Sequence, residues 1–271
     1  MNDFIKFGLF FFQLLDICAQ EKCTLSEACE KVEKLGYKTL EIDFDQLSEE
    51  TLGTLAGSPL QIVNIYCFLD FQKDVEPRLN QLLKNAQCVR PKFVMPIPET
   101  DETADLKNIV ISRLILLQQQ LADIGTQMVM ENYDGPGKSF ATISGLQEYF
   151  KAIPGLKCCF DTGNFYYSGE DLLHAYNTFS GNIVHIHCKD RRLDEKDGWL
   201  SSKMADGTRV SNAAIGNGIL PLAQLFSRLE SDKYQGILVA EHACVNNQLD
   251  TLTRSISTMK LLLSENQSRR L

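Results

Sequence analysis

The chain is poor in histidine and tryptophan, with four and one in 271 residues, and no histidine precedes His174. Nine cysteines, an odd number, include no C-x-x-C pair and no regular spacing. That argues against a disulfide framework and a thiolate zinc site, and makes a reducing, cytoplasmic location the expectation. Cys158 and Cys159, neighbours in an apolar run, are expected to be small buried thiols. No G-x-G-x-x-G opens a helix after the first strand-like run, which disfavours dinucleotide binding. No apolar run is long enough to cross a bilayer. Phe7 to Ile17 is apolar enough to suggest a signal peptide, but Asp3 occupies the would-be basic region. Gln13 and Asp16 interrupt the run, and no small-residue cleavage site follows. Basic residues are also outnumbered: 27 Lys and Arg against 35 Asp and Glu give a net charge of −8. A broad nucleic-acid surface or an anionic-membrane surface is therefore not expected, although a local basic pocket is allowed.

Hydrophobic residues make up 44% and charged residues 23%, enough to bury a substantial core. Strand-like runs alternate with helical patterns eight times. The strands are read at Lys6–Phe10, Thr39–Asp43, Ile62–Phe68, Lys92–Ile97, Met128–Asn132, Leu156–Asp161, Ile183–Asp190 and Gly236–Glu241. Between them, helices are read from Thr24 or Ser26 to Gly36, over Ser48–Leu55, over Val75–Val89 and from Thr103 to Ile124. Further helices are read over Ile143–Ala152, Gly169–Phe179, Leu222–Leu229 and Leu249–Leu263, with turns at Gly57-Ser58-Pro59 and Gly135-Pro136-Gly137. Eight such pairs with short connections predict a single (β/α)₈ TIM barrel with a parallel eight-stranded core, occupying residues 1–271 as one domain. A doubly wound open sheet is the main alternative. The one long connection, Arg191 to Pro221, carries Trp199 and reads either as a lid or binding loop or as a disordered insertion.

In such a barrel the functional site lies at the C-terminal rim of the strands. Strand-like runs five to eight end in Glu131, Asp161, His187 and Glu241, a contiguous arc of three carboxylates and one imidazole. Massed in a confined rim, the carboxylates would resist ionising without a cation. Oxygen-rich ligation with one imidazole suits Mn²⁺, Co²⁺, Mg²⁺ or Zn²⁺. On the seventh run His185, His187 and Lys189 share a face, with Ile186 and Cys188 on the other. His185, two residues below His187, is better placed as its supporting donor than as a ligand. Lys189, Arg191 and Arg192 are candidates to hold a phosphate or polarise a hydroxyl. Gly216-Asn217-Gly218 is either an anion-binding turn or a plain one.

Val129-Met130-Glu131-Asn132, Phe160-Asp161-Thr162-Gly163-Asn164, His185-Ile186-His187-Cys188-Lys189-Asp190, Ile215-Gly216-Asn217-Gly218 and Ala240-Glu241 together resemble the xylose isomerase-like TIM barrel superfamily. The nearest likeness is to its sugar phosphate isomerase/epimerase branch. The likeness is close over the C-terminal half; the N-terminal half matches in element order and in Gly36-Tyr37 before Glu41. It implies that Glu131, Asp161, His187 and Glu241 bind one divalent metal ion. The substrate it implies is a small sugar or polyol, with Asn164, His185, Lys189 and Arg191 as substrate-side residues. Glu131 and Glu241 would exchange a substrate proton through a metal-stabilised enediolate, giving epimerisation or aldose–ketose isomerisation. An inosose-type dehydratase and a non-catalytic sugar-binding barrel are the alternatives. Asn164 stands where ketose 3-epimerases of this type carry a histidine, which leaves the substrate class open. The apurinic endonuclease pattern is absent: this chain has Val210-Ser211-Asn212 in place of an Asp-x-His. The resemblance also admits a homo-oligomer, since related barrels often associate.

Overall fold

The computed structural model describes residues 5–99, 104–133 and 138–268. The first four strands are β1 (Lys6–Phe10), β2 (Thr39–Asp43), β3 (Gln61–Leu69) and β4 (Phe93–Pro98). Then come β5 (Gln127–Glu131), β6 (Lys157–Asp161) and β7 (Ile183–Cys188). Three short strands follow, β8 (Asp190–Arg192), β9 (Ser202–Lys203) and β10 (Arg209–Ala213), and then β11 (Ile237–Ala240). Strands β1 to β7 and β11 close into a parallel barrel in which chain order and spatial order coincide, with β11 hydrogen-bonded to both β1 and β7. The (β/α)₈ architecture and the parallel eight-stranded core are as the alternation of runs predicts.

The helices on the outside are α1 (Phe11–Glu21), α2 (Leu25–Leu35), α3 (Glu49–Ala56), α4 (Glu76–Val89) and α5 (Ala104–Asp123). They continue with α6 (Ile143–Ala152), α7 (Asn164–Tyr167), α8 (Leu172–Phe179), α9 (Leu222–Ser231) and α10 (Gln248–Ser268). Caps set several boundaries. Thr24 Oγ1 accepts from Glu27 N while Glu27 reaches back to Thr24 N, a reciprocal pair that satisfies two N–H groups at the helix start. Gly36 ends the same helix at φ +112°, a conformation that favours glycine. The predicted opening of α5 at Thr103 and the turn at 135–137 lie outside the described residues.

The larger departures from the reading are three. The first strand ends at Phe10 as read, but the rest of the apolar run Phe7–Ile17 is a helix, α1, that the reading lacks. Its interrupting Gln13 is fully buried, because its Oε1 accepts from Phe10 N at 2.8 Å and its amide reaches His242. The helix read from Gly169 begins at Leu172, where Asp171 accepts from His174 N, and the separate turn α7 precedes it. The Arg191–Pro221 connection, read as a lid or binding loop or as a disordered insertion, contains regular structure. It forms an antiparallel sheet in the order β8-β10-β9. That sheet is anchored: Asp197 pairs with Arg254 of α10 at 3.0 Å, and Gly198 bridges to Val245.

Strand alternation divides the core in two. On β7, Ile186 and Cys188 join the large layer between barrel and helices. Inside the barrel a smaller apolar cluster is built from Val63, Phe93, Met95, Val129, Cys159 and Val239. His185 and His187 point into that interior and lie beside Cys159 and Asp161 of β6 in the ladder. Cys158 and Cys159 are fully buried, as expected, and all nine cysteines are free.

Candidate active site

Two side-chain clamps hold the strand ends in register. Asn132, just past β5, accepts from Asp161 N at 3.0 Å and donates to Asp161 O at 3.3 Å. Thr162, just past β6, accepts from Lys189 N at 2.8 Å and donates to Lys189 O at 2.7 Å. These clamps give the Glu-Asn and Asp-Thr-Gly-Asn runs a structural reason, since each polar residue satisfies backbone groups of the next strand. Gly163 is required by close approach: a Cβ there would lie 2.7 Å from Lys189 Cβ and 3.1 Å from Arg191 Nε.

The arc read from the sequence converges. One ligand-type atom from each of Glu131, Asp161, His187 and Glu241 lies within 4.8 Å of all the others. His187 Nδ1 is 2.9 Å from Glu131 Oε1 and 3.4 Å from Glu241 Oε2. Asp161 Oδ1 accepts from the backbone N–H groups of Gly163 and Asn164, both at 2.7 Å, which leaves Oδ2 for the cluster. Lys189 sits among these groups. Its Nζ is 2.7 Å from Glu241 Oε1, 3.1 Å from Asp161 Oδ2 and 3.1 Å from Asn164 Oδ1. Asn164 also donates through Nδ2 to Glu131 Oε1 at 3.3 Å.

Electrostatics follow from packing so many ionisable groups in a dry rim. Burial pushes the Glu131 carboxyl up to about 8, with His187 and Lys189 pulling against it. Burial also raises Glu241, opposed by Lys189 and reinforced by the Asp161 charge. For His187 burial acts downward, but Cys159, Glu41 and Glu131 together lift it well above its ordinary value. Asp161 Oδ2 and Glu241 Oε2 face the cluster, with Lys189 Nζ 3.1 Å from the first and His187 Nδ1 3.4 Å from the second. Three carboxylates and one imidazole turned toward one another fit a hard divalent cation.

Glu41 escapes sequence reasoning except as part of a pattern. It lies fully buried on β2, and its Oε1 and Oε2 are 3.0 and 3.1 Å from His187 Nε2. Asn64 Nδ2 donates to it at 2.5 Å, and His185 Nε2 is hydrogen-bonded to Oε1. Burial alone would raise this carboxyl, but the two imidazoles hold it well below the usual range. The partner behind His187 is therefore Glu41, and His185 stands one step further back, packed 4.8 Å from the Phe93 ring. The available signal was a lone carboxylate in the apolar run Leu40-Glu41-Ile42, one whose partner only the barrel supplies.

The candidate cations part company. Lys189 enters the cluster. Arg191 is 2% exposed, donates to Asn212 Oδ1 and lies 4.8 Å over the Tyr167 ring. Arg192 pairs with Asp194 and donates to Asn217 O. The Gly216-Asn217-Gly218 turn is already filled by the chain itself: Asp190 Oδ2 accepts from Gly216 N and Gly218 N, both at 2.9 Å.

Residues 81–262 match the xylose isomerase-like TIM barrel family. The chain belongs to that family. Among curated proteins it is 29% identical over 159 residues to an inosose dehydratase of Geobacillus thermodenitrificans, covering 57% of this chain and 52% of the relative. It thus spans about half the length of that relative. Among solved structures it superposes on the IOLI protein with a bound zinc atom at a TM-score of 0.74. That pair is 16% identical and covers 96% and 98% of the two chains. An L-ribulose 3-epimerase superposes with a TM-score of 0.73 at 13% identity, covering 98% and 97%. Identities this low show the fold alone. No helix among the described residues is long and apolar enough to cross a membrane.

Proposed function

We propose that residues 1–271 form one barrel domain of a divalent-metal-dependent isomerase or epimerase acting on a small polyhydroxy carbonyl compound. The observation that carries this reading is the convergence of Glu131, Asp161, His187 and Glu241 within 4.8 Å. These four residues would hold the ion, which is Mn²⁺, Co²⁺, Mg²⁺ or Zn²⁺ by donor chemistry. When bound, it would supply Lewis acidity that acidifies the C–H next to a substrate carbonyl.

The protein's own groups move the proton. Glu131, a carboxyl that burial raises when no ion is bound, is the first candidate to take the substrate proton. Glu241 stands across the cluster beside Lys189. One carboxylate takes the proton from carbon and the other returns it to the opposite face in epimerisation; return to the same face, at the neighbouring carbon, gives isomerisation. Asn164 links Glu131 to Lys189 and orients both. Lys189 fixes Glu241, Asp161 and Asn164 around the place of the substrate. Arg191 and His185 act from behind, Arg191 through Asn212 and Tyr167, His185 through Glu41. We read the location as cytoplasmic, from the free cysteines.

A dehydratase is the second reading, favoured by the likeness to the inosose dehydratase. The same abstraction would be followed by loss of a neighbouring hydroxyl as water, protonated by the carboxyl of Glu241. Metal analysis followed by deuterium exchange from D₂O across ketoses and inososes tests both readings. Exchange without net loss of water supports the isomerase, and water loss supports the dehydratase. No exchange with any of them contradicts both and favours a sugar-binding barrel.

A further inference from the structure

The cavity over the cluster has a volume of about 200 Å³. One side is aromatic: Phe10, Phe12, Tyr66, Phe68 and Tyr133 line it. Their rings form a chain, with centroids 5.4 Å apart for Phe10–Phe12, 5.6 Å for Phe10–Tyr66, 6.1 Å for Tyr66–Phe68 and 6.2 Å for Phe68–Tyr133. The polar side is acidic, with Asp43, Glu131 and Glu241, and among the described residues Lys189 is the single cation lining it.

Lys189 is already committed to Glu241, Asp161 and Asn164. Glu131, Asp161, Glu241 and Glu41 behind His187, with a divalent ion and one ammonium, sum to −4 + 2 + 1 = −1, and Asp43 in the lining adds to that negative charge. The neighbouring cavity, about 410 Å³ and sharing Phe68, offers no relief. It has two cations, Lys73 and Arg78, against Asp45, Asp70, Asp74 and Glu99. Arg78 is gripped by Asp45 through two contacts of 2.7 Å, and Lys73 lies 2.8 Å from Asp70. Arg191 and Arg192 line neither cavity: Arg191 donates to the neutral Asn212 and lies over Tyr167, and Arg192 pairs with Asp194. The glycine turn that would hold an anion is filled by Asp190. The internal stretches outside the described residues, 100–103 and 134–137, contain no Lys or Arg.

We propose that the substrate is uncharged: a polyhydroxy carbonyl compound without phosphate or carboxylate, seated with a C–H face on the aromatic wall. This rests on the function proposed above. A phosphate dianion here would meet uncompensated carboxylates in a partly dry cavity, and like charges brought together in that way are strongly disfavoured. A neutral ring or chain presents C–H groups to the aromatics and hydroxyls to the polar side, a common division in small-molecule sites.

The test measures binding apart from turnover. Protein loaded with Mn²⁺ is titrated with matched pairs, D-fructose against D-fructose 6-phosphate and a keto-inositol against its phosphate ester, while water-proton relaxation reports displacement of water. The neutral member of each pair is expected to bind at least about tenfold more tightly, and Asp43→Asn, which removes one lining charge, should narrow that gap. An anionic member that binds as well as its neutral partner overturns the proposal, as does a panel in which no neutral member displaces water. Deuterium exchange on the same samples separates the two claims. Neutral ligands that bind without exchanging hydrogen contradict the proposed reaction and leave the charge selection standing.

Discussion

The two halves of the barrel mouth are built from opposite materials. Strands β5, β6, β7 and β11 end in ionisable groups that meet within 4.8 Å, whereas β1, β3 and β4 present Phe10, Tyr66, Phe68, Met95 and Ile97. One half can bind charge and move protons, and most of the other excludes water and offers a surface. The exceptions on the apolar half come from β2: Glu41 holds His187 from behind, and Asp43 lines the cavity. The arc is buried as well as charged: burial pushes the Glu131 carboxyl up to about 8, with His187 and Lys189 opposing it.

The largest expected effects come from the arc. Glu131→Gln and Glu241→Gln should each lower the rate of hydrogen exchange by about 10² to 10⁴-fold, measured by NMR in D₂O. If either variant exchanges at the wild-type rate, that carboxylate does not move the proton. Glu41→Gln probes the support that the apolar half lends. Affinity for Mn²⁺ should fall by about 10- to 100-fold by chelator competition, while thermal stability measured without metal changes far less. An unchanged affinity would reduce Glu41 to a packing residue.

The smallest effect concerns His242, next to Glu241 but directed into the scaffold. It is fully buried, within 3.0 Å of Ser255 Oγ and 3.3 Å of the Gln13 amide. Burial, then Arg191 and Arg254, hold it down at about 3. Unfolded, it titrates near ~6.5. Between those values the unfolded chain binds the extra proton, so stability is intact above about 6.5 and is lost as the pH falls toward 3. At pH 5 the loss is at most about 2 kcal/mol. Denaturant midpoints for wild type and His242→Gln across pH 7 to 4.5 should converge as the pH drops. Parallel curves would show that His242 is protonated in the folded protein.

What could be read from the chain follows the same division. The arc was legible because each ligand-type residue ends its own strand run, so local pattern alone placed Glu131, Asp161, His187 and Glu241 together. Glu41 was not, because nothing near it in sequence hints at two imidazoles 144 and 146 residues away. Helix α1 was hidden by its own composition: strand and helix meet at Phe10-Phe11-Phe12, and the residue that joins them, Gln13, bonds across the fold to His242. The β8–β10 sheet has strands of two to five residues, too short for a period to register. Arg191 looked like a ligand for a substrate anion because its partners, Asn212 and Tyr167, come from segments distant in the chain.

The most direct measurement is metal content with location. Purified protein is analysed for divalent ions, then crystallised with Mn²⁺ and its anomalous scattering mapped. The expected result is one ion per chain, bonded to Glu131, Asp161, His187 and Glu241, and lost in Asp161→Ala. An ion bound elsewhere, or no ion at saturating Mn²⁺, would contradict the account.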